Sequence, residues 1–166
     1  NLSLGDWFRG LLPYVGGAVF YGGLLGGLAA GALYLRIRRL PFAAYADIAA
    51  PAIPLFHAFG RIGCFLGGCC YGIPWEGGIT YTRALTPEAN GVARFPVQLL
   101  ESALLFALFF LLAALFRRGA LRAKLLALYL AVYAVLRFLL EFLRGDAIRG
   151  VYFGLSTSQW ISLAIL

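Results

Sequence analysis

The stretch FPVQLLESALLFALFFLLAALF, Phe95–Phe116, decides the fold class. It holds a single charge, Glu101, and a single amide, Gln98, both close to its start, and Pro96 suits the opening of a helix. About twenty apolar residues in helical form reach across a bilayer core of ~30 Å. A run this apolar has no polar face to offer water, so it reads as a membrane span. Its neighbours agree. Arg117, Arg118, Arg122 and Lys124 follow at once, with no acidic residue among them, and a second apolar run, Leu125–Leu143, comes next.

The same reading extends over the chain. Hydrophobic residues make up 62% of the sequence and charged residues 13%, with a mean hydropathy of +0.86, too little charge to cover the surface of a soluble domain. The expected architecture is all-α: one integral membrane domain over 1–166, a bundle of about five transmembrane helices. Residues 1–13, with Asp6, Trp7 and Arg9, read as an interfacial segment. The spans are expected at 14–35, 42–66, 95–116, 125–143 and 157–166. The first is rich in glycine, including Gly22 and Gly23, and small residues let another helix or a lipid approach the backbone. The second contains Pro51 and Pro54, which imply a kink, or a broken or re-entrant helix. A long outer loop joins the second and third. The chain has no Met, shows no signal-peptide pattern and stops at Leu166 inside an apolar run, so it reads as a piece of a longer protein.

The net charge of +7 does not indicate nucleic acid. Half of the basic residues fall in two clusters, Arg36, Arg38 and Arg39, then Arg117, Arg118, Arg122 and Lys124, each between apolar runs. That is the charge pattern of cytoplasmic loops. With those loops inside, the polar residues of the spans collect at the opposite leaflet: Arg61 in the second span, Gln98 and Glu101 in the third, Glu141 and Arg144 at the end of the fourth, Asp146 beyond it, and Gln159 in the fifth. Tyr21 comes to a similar depth. Charges there pair with one another or line a polar cavity. Arg137, Glu141 and Arg144 are spaced to share one helix face. Each also has a plain structural role open to it: Arg144 as an anchor reaching the headgroups, Glu141 neutralising Arg137, Glu101 pairing with Arg61. Two arginines on one leaflet suit an anionic lipid phosphate, because guanidinium forks bind phosphate oxygens in pairs.

The densest motif is HAFGRIGCFLGGCCYG, His57–Gly72, in which a helix delivers Arg61 and glycine-rich backbone, including Gly63, takes over at the membrane surface. This motif resembles the signature of the prolipoprotein diacylglyceryl transferase family, and further matches follow in that family's order. Tyr21–Gly27 resembles its Gly-Gly-Leu-x-Gly-Gly helix, Asp47–Pro54 its D-x-x-A-P-x-x-P run, and Phe95–Glu101 its H-P-[ST]-Q-L-Y-E. Arg137–Asp146 resembles its R-x-x-x-E-F-x-R-x-P-D, and Ser156–Ser162 its [ST]-x-G-Q-x-x-S.

The resemblance implies transfer of the diacylglyceryl group of phosphatidylglycerol to the lipobox cysteine thiol of an exported prolipoprotein. The setting it implies is a multi-pass protein of the bacterial inner membrane with the site facing the periplasm. It places phosphate binding on Arg61 and Arg144, with Glu141 and Asp146 orienting the arginines. Gln98, Glu101 and Gln159 become polar members of the site wall, and the glycines Gly22, Gly23 and Gly63 permit close approach. No cofactor or metal is implied.

The departures are specific. Tyr21 stands where the family has a His proposed as the base for the thiol, and a phenol of ordinary pKa near ~10 is a poor base at neutral pH. Phe95 replaces another His. Cys64 and Gly67 stand for two Asn, and Cys69 for a Glu. The chain's single His, His57, lies one turn before Arg61 and reads either as a replacement base or as a buried structural residue. Cys64, Cys69 and Cys70 read as small apolar residues, as a disulfide pair or nucleophile, or as metal ligands, although no C-x-x-C spacing supports the last. The competing reading of the whole chain is a non-catalytic or thiol-redox membrane protein that keeps the fold, or a glycerolipid transferase with a different acceptor.

Overall fold

The computed structural model describes residues 26, 27, 29–145 and 151–166. The chain divides into two compact units, Asn1–Phe42 and Ala43–Leu166. The expected interfacial segment and most of the expected first span lie outside the described residues. Within the first unit, helix α1 covers 29–37 and ends in a turn where Arg39 takes a left-handed backbone with φ of 53°.

The second unit is mainly helical. Among the described residues, three helical stretches are long and apolar enough to cross a membrane: Phe42–Gly67, Val97–Arg117 and Leu125–Leu143. Many of their large apolar side chains face outward, with Phe56, Phe110 and Phe142 exposed by 75%, 65% and 62%. In water such a surface would aggregate; in lipid it is the surface a span requires.

The first stretch is broken, as its prolines imply. Helix α2 (Phe42–Ala49) stops and α3 (Ala52–Gly67) begins two residues later. Pro51 has no N–H to continue the ladder, and its ring crowds the carbonyl four residues back. Helix α4 (Val97–Arg117) begins after Pro96, α5 is Leu125–Leu140, and α6 is Thr157–Ile165. Helix α3 packs on α4, α4 on α5, and α5 on α6. At about 1.5 Å per residue, α6 as it stands covers less than half of a bilayer core.

The apolar core gathers where α4 ends and α5 begins: Ala50, Leu108, Leu112, Leu125 and Tyr129. Asp47 fastens this end. Its carboxylate is 6% exposed and accepts the backbone N–H groups of Ala123 and Leu125, the latter at 2.9 Å. The negative charge thereby sits at the N-terminus of α5, where orphan donors and the helix dipole favour it. The turn it holds contains Leu121 and Ala123 with φ of 53° and 64°. Hydrogen bonds accepted by the Asp47 carboxylate offset that strained backbone.

At the other end, helix α3 closes with Gly68 in the left-handed region, φ of 68°. The Gly68 N–H donates to the Phe65 carbonyl at 3.2 Å and the Cys69 N–H to the Cys64 carbonyl at 3.1 Å, the paired bonds of a Schellman motif. The long loop that follows is ordered. It contains strand β1 (Pro74–Ile79) and a 3-10 turn at Pro87–Ala89, and Arg94 lies over the Tyr71 ring at 4.1 Å. Residues 71–73 are stitched on both sides. Ile73 donates to the Leu143 carbonyl at 3.0 Å, Gly145 to Tyr71 at 3.0 Å, and Phe95 to Ile73 at 2.9 Å. The end of α3, the approach to α4 and the exit of α5 are thus tied together. A short antiparallel ladder, β2 (Val151–Tyr152) with β3 (Leu155–Ser156), leads into α6.

Candidate active site

Glu101 is the hub of the polar end. It projects from the second turn of α4 and is 2% exposed. Its Oε2 lies 3.0 Å from Arg61 Nε on α3. Its Oε1 accepts the Tyr133 hydroxyl of α5 at 3.3 Å and lies 3.8 Å from His57 Nε2. The Arg61 N–H is not well aimed at the carboxylate, so the contact is an ion pair more than a directed hydrogen bond. One carboxylate therefore joins three helices. Ser102, one residue on, fixes the α3–α4 register by donating to the Ala58 carbonyl at 3.0 Å. The His57 ring meets Tyr133 edge to face at 5.1 Å. His57 is thus packed against Tyr133 and Glu101 in the helix interface, the setting of the structural alternative read from the sequence.

Arg144 arrives by a different route from the one its spacing suggested. Helix α5 tightens into a 3-10 turn at Glu141–Leu143, and Arg144 itself is extended, with φ of −86° and ψ of 139°. It does not continue the helix face of Arg137 and Glu141. Its backbone bridges to Gly72 instead. That ladder turns the side chain toward Cys70, with which the guanidinium forms a hydrogen bond, and the charges of Arg61 and Arg144 act on one another. Arg61, from α3, and Arg144, from the exit of α5, both act by charge on Cys70.

Glu141 pairs with Arg137 at 2.5 Å. Arg137 also donates to Ser158 Oγ at 3.0 Å, tying α5 to α6. Gln98 is 1% exposed and its Nε2 donates to the Cys69 carbonyl at 2.8 Å, anchoring the cysteine turn to α4, while its Oε1 is buried without a protein partner. Gln159 closes a capping box: its Oε1 accepts the Ser156 N–H at 2.9 Å and its own N–H donates to Ser156 Oγ at 3.3 Å. Its carbonyl is therefore used in starting α6. Gly63 is exposed near the C-terminal end of α3, and a Cβ there would meet open space. Tyr21, Gly22, Gly23 and Asp146 lie outside the described residues.

The three cysteine sulfurs all lie within 4.8 Å of one another. No disulfide joins them. The Cys70 thiol is pulled down, first by a hydrogen bond from Cys64 and then, against the opposing effect of burial, by the hydrogen bond and charge of Arg144. Burial pushes the neighbouring Cys69 thiol up.

Sequence reasoning missed Tyr133, Ser102 and Ser158. Tyr133 was within reach, since Tyr129, Tyr133 and Arg137 recur at four-residue steps on one face of α5. The serines carry no such signal.

Arg61, held by the buried Glu101, and Arg144 thus offer two guanidiniums at this end of the helices. Comparison with known proteins gives the family. The prolipoprotein diacylglyceryl transferase family profile matches residues 8–166. The phosphatidylglycerol–prolipoprotein diacylglyceryl transferase of Clostridium tetani is 38% identical over 149 residues, covering 89% of this chain and 59% of that protein. The protein of the same name from Geobacter sulfurreducens is 39% identical over 145 residues, 84% of this chain and 53% of that one. The chain therefore spans a little over half the length of these relatives. The profile match across nearly all of the sequence shows that the chain belongs to the prolipoprotein diacylglyceryl transferase family.

Proposed function

We propose that the protein transfers the diacylglyceryl group of phosphatidylglycerol to the cysteine thiol of a prolipoprotein at the outer leaflet of a bacterial inner membrane. The observation that supports this is Arg61 paired with the buried Glu101 at 3.0 Å, with Arg144, from a separate element, acting by charge on Arg61. The names of the relatives supply the substrates. The wider architecture belongs to the same proposal: one membrane domain of five spans, with the glycine-rich first span and α6 completing the three described.

The division of labour proposed is as follows. The guanidiniums of Arg61 and Arg144 take the phosphate oxygens of the lipid. As the thiolate attacks the glycerol carbon, negative charge builds on the departing phosphate oxygen, and fixed cations there lower the barrier. Glu101 holds Arg61 in place through its ion pair, and the Gly72 ladder holds the backbone of Arg144. Gly63 leaves room for the lipid on the exposed face of α3. Tyr21 and Asp146 join the site on the strength of the family resemblance.

The test is direct. Purified protein is incubated with labelled phosphatidylglycerol and a lipobox peptide. Transfer is expected to fall at least ~100-fold in Arg61→Ala and in Arg144→Ala, the scale on which loss of one charge-stabilising donor acts. Transfer unchanged in both variants would overturn the assignment.

A further inference from the structure

The cysteine cluster has a geometry that the phosphate reading leaves unused. Cys64 and Cys69 occupy the two positions whose side chains meet across a Schellman motif, the last turn of α3 and the second residue past it. The Cys69 thiol lies 3.6 Å from the Cys64 carbonyl. Cys70 then adopts a left-handed backbone, φ of 55°, rare for a residue with a side chain. That conformation costs about 1–2 kcal/mol and folds the third thiol back onto the other two. Strain held at three converging thiols points to a site.

We propose that Cys64, Cys69 and Cys70 hold one Zn2+ ion with its fourth position open, and that the acceptor thiol binds there as a thiolate. The acceptor role rests on the transfer reading; the metal site does not. Three sulfurs about 2.3 Å from a tetrahedral zinc stand about 3.8 Å apart, so the observed cluster needs to contract by no more than about 1 Å. Three thiolates on a divalent ion leave a net charge of −1, next to Arg144 and within the field of Arg61. Among the described residues no His, Asp or Glu joins the three cysteines as a fourth ligand. The thiols are only half-buried, so the open position is reachable from outside. Structural zinc sites close with four protein ligands, whereas sites that act on a substrate keep one place free.

The chemistry balances. The acceptor thiol gives its proton to water on binding zinc, which deprotonates a coordinating thiol. Its sulfur attacks the glycerol carbon of phosphatidylglycerol, forming the C–S bond. The C–O bond to phosphate breaks, and the electron pair leaves on the phosphate oxygen of glycerol phosphate. The neutral thioether binds zinc weakly and departs. A direct nucleophilic role for one of the cysteines is poorer chemistry: it would leave the lipid on the enzyme as a thioether, which an incoming thiol does not displace.

The experiment reads the metal and the acceptor separately from turnover. The full-length protein, purified in detergent without chelators, is expected to carry about one zinc per chain. The Cys64→Ser, Cys69→Ser and Cys70→Ser variants, checked for unchanged gel-filtration elution, are expected to lose it. Exchange for Co2+ gives an absorbing site. Titration with a lipobox peptide is expected to shift its sulfur-to-cobalt band, while the same peptide with Ser for Cys leaves the band unmoved. Zinc-free wild-type protein that does not take up Co2+, or zinc that survives all three substitutions, would overturn the site. A band that responds equally to both peptides would overturn the acceptor role. Absence of lipid transfer with a band that does shift would count against the transferase reading and leave the metal site standing.

Discussion

Glu101→Gln probes the hub of the structure. The wild-type carboxylate is 2% exposed and faces Arg61, itself 12% exposed, at 3.0 Å. Removing one partner of a buried ion pair leaves the other charge uncompensated, which costs about 3–5 kcal/mol. Glutamine keeps the shape and one acceptor for the Tyr133 hydroxyl, so the lower end of that range, about 3 kcal/mol, is expected. Arg61→Met should cost a similar amount from the other side. The double variant removes both charges together and should be more stable than the sum of the two losses implies, by about 2 kcal/mol. Equilibrium unfolding in mixed micelles, followed by tryptophan fluorescence, measures all four proteins. Glu76→Gln on the exposed face of β1 is the control and should shift stability by less than about 0.5 kcal/mol. Losses that add to within about 0.5 kcal/mol would refute the pairing of Arg61 with Glu101, and with it the claim that Glu101 positions the phosphate-binding arginine.

Two further outcomes test the ends of the bundle. Asp47→Ala strips the acceptors from two backbone donors at the start of α5 and should destabilise the protein by about 2–4 kcal/mol in the same unfolding measurement, with zinc content unchanged. Gly72→Ala places a methyl against the carbonyl oxygens of Phe95 and Leu143, so the ladder that holds Arg144 must open. Lipid transfer should drop by the same order as in Arg144→Ala, while a conservative change at the exposed Leu66 should leave it intact.

Much of the polar site was legible because its residues are expensive where they stand. A charge within a membrane helix is rare enough that Arg61, Glu101 and Glu141 stand out, and pairing with Arg61 is one of the roles open to Glu101 at that depth. The break between α2 and α3 was legible in Pro51 and Pro54 for the same reason: the missing N–H has no remedy inside a helix. Arg144 was misplaced because helical spacing was extended past the point where α5 tightens and ends. Gln159 was read as a wall residue although Ser156-Thr-Ser-Gln159 is also a capping-box pattern, and the structure uses its carbonyl there. The cysteines lack C-x-x-C spacing, but C-x-x-x-G-C is the spacing that a Schellman turn brings together.

By itself, the sequence determined the membrane class and the three long apolar helices within 42–67, 97–117 and 125–143. These depend on local composition and on the cost of polar groups in lipid, both of which are additive along the chain. The tertiary structure alone decided which groups touch. Asp47 reaches across 76 and 78 residues to Ala123 and Leu125, Gly72 clasps Arg144, and Cys70 turns back onto Cys64 and Cys69. Each of these joins depends on a backbone direction set at one or two residues and on the packing of helices distant in sequence, and neither is written in the spacing of side chains along a single helix.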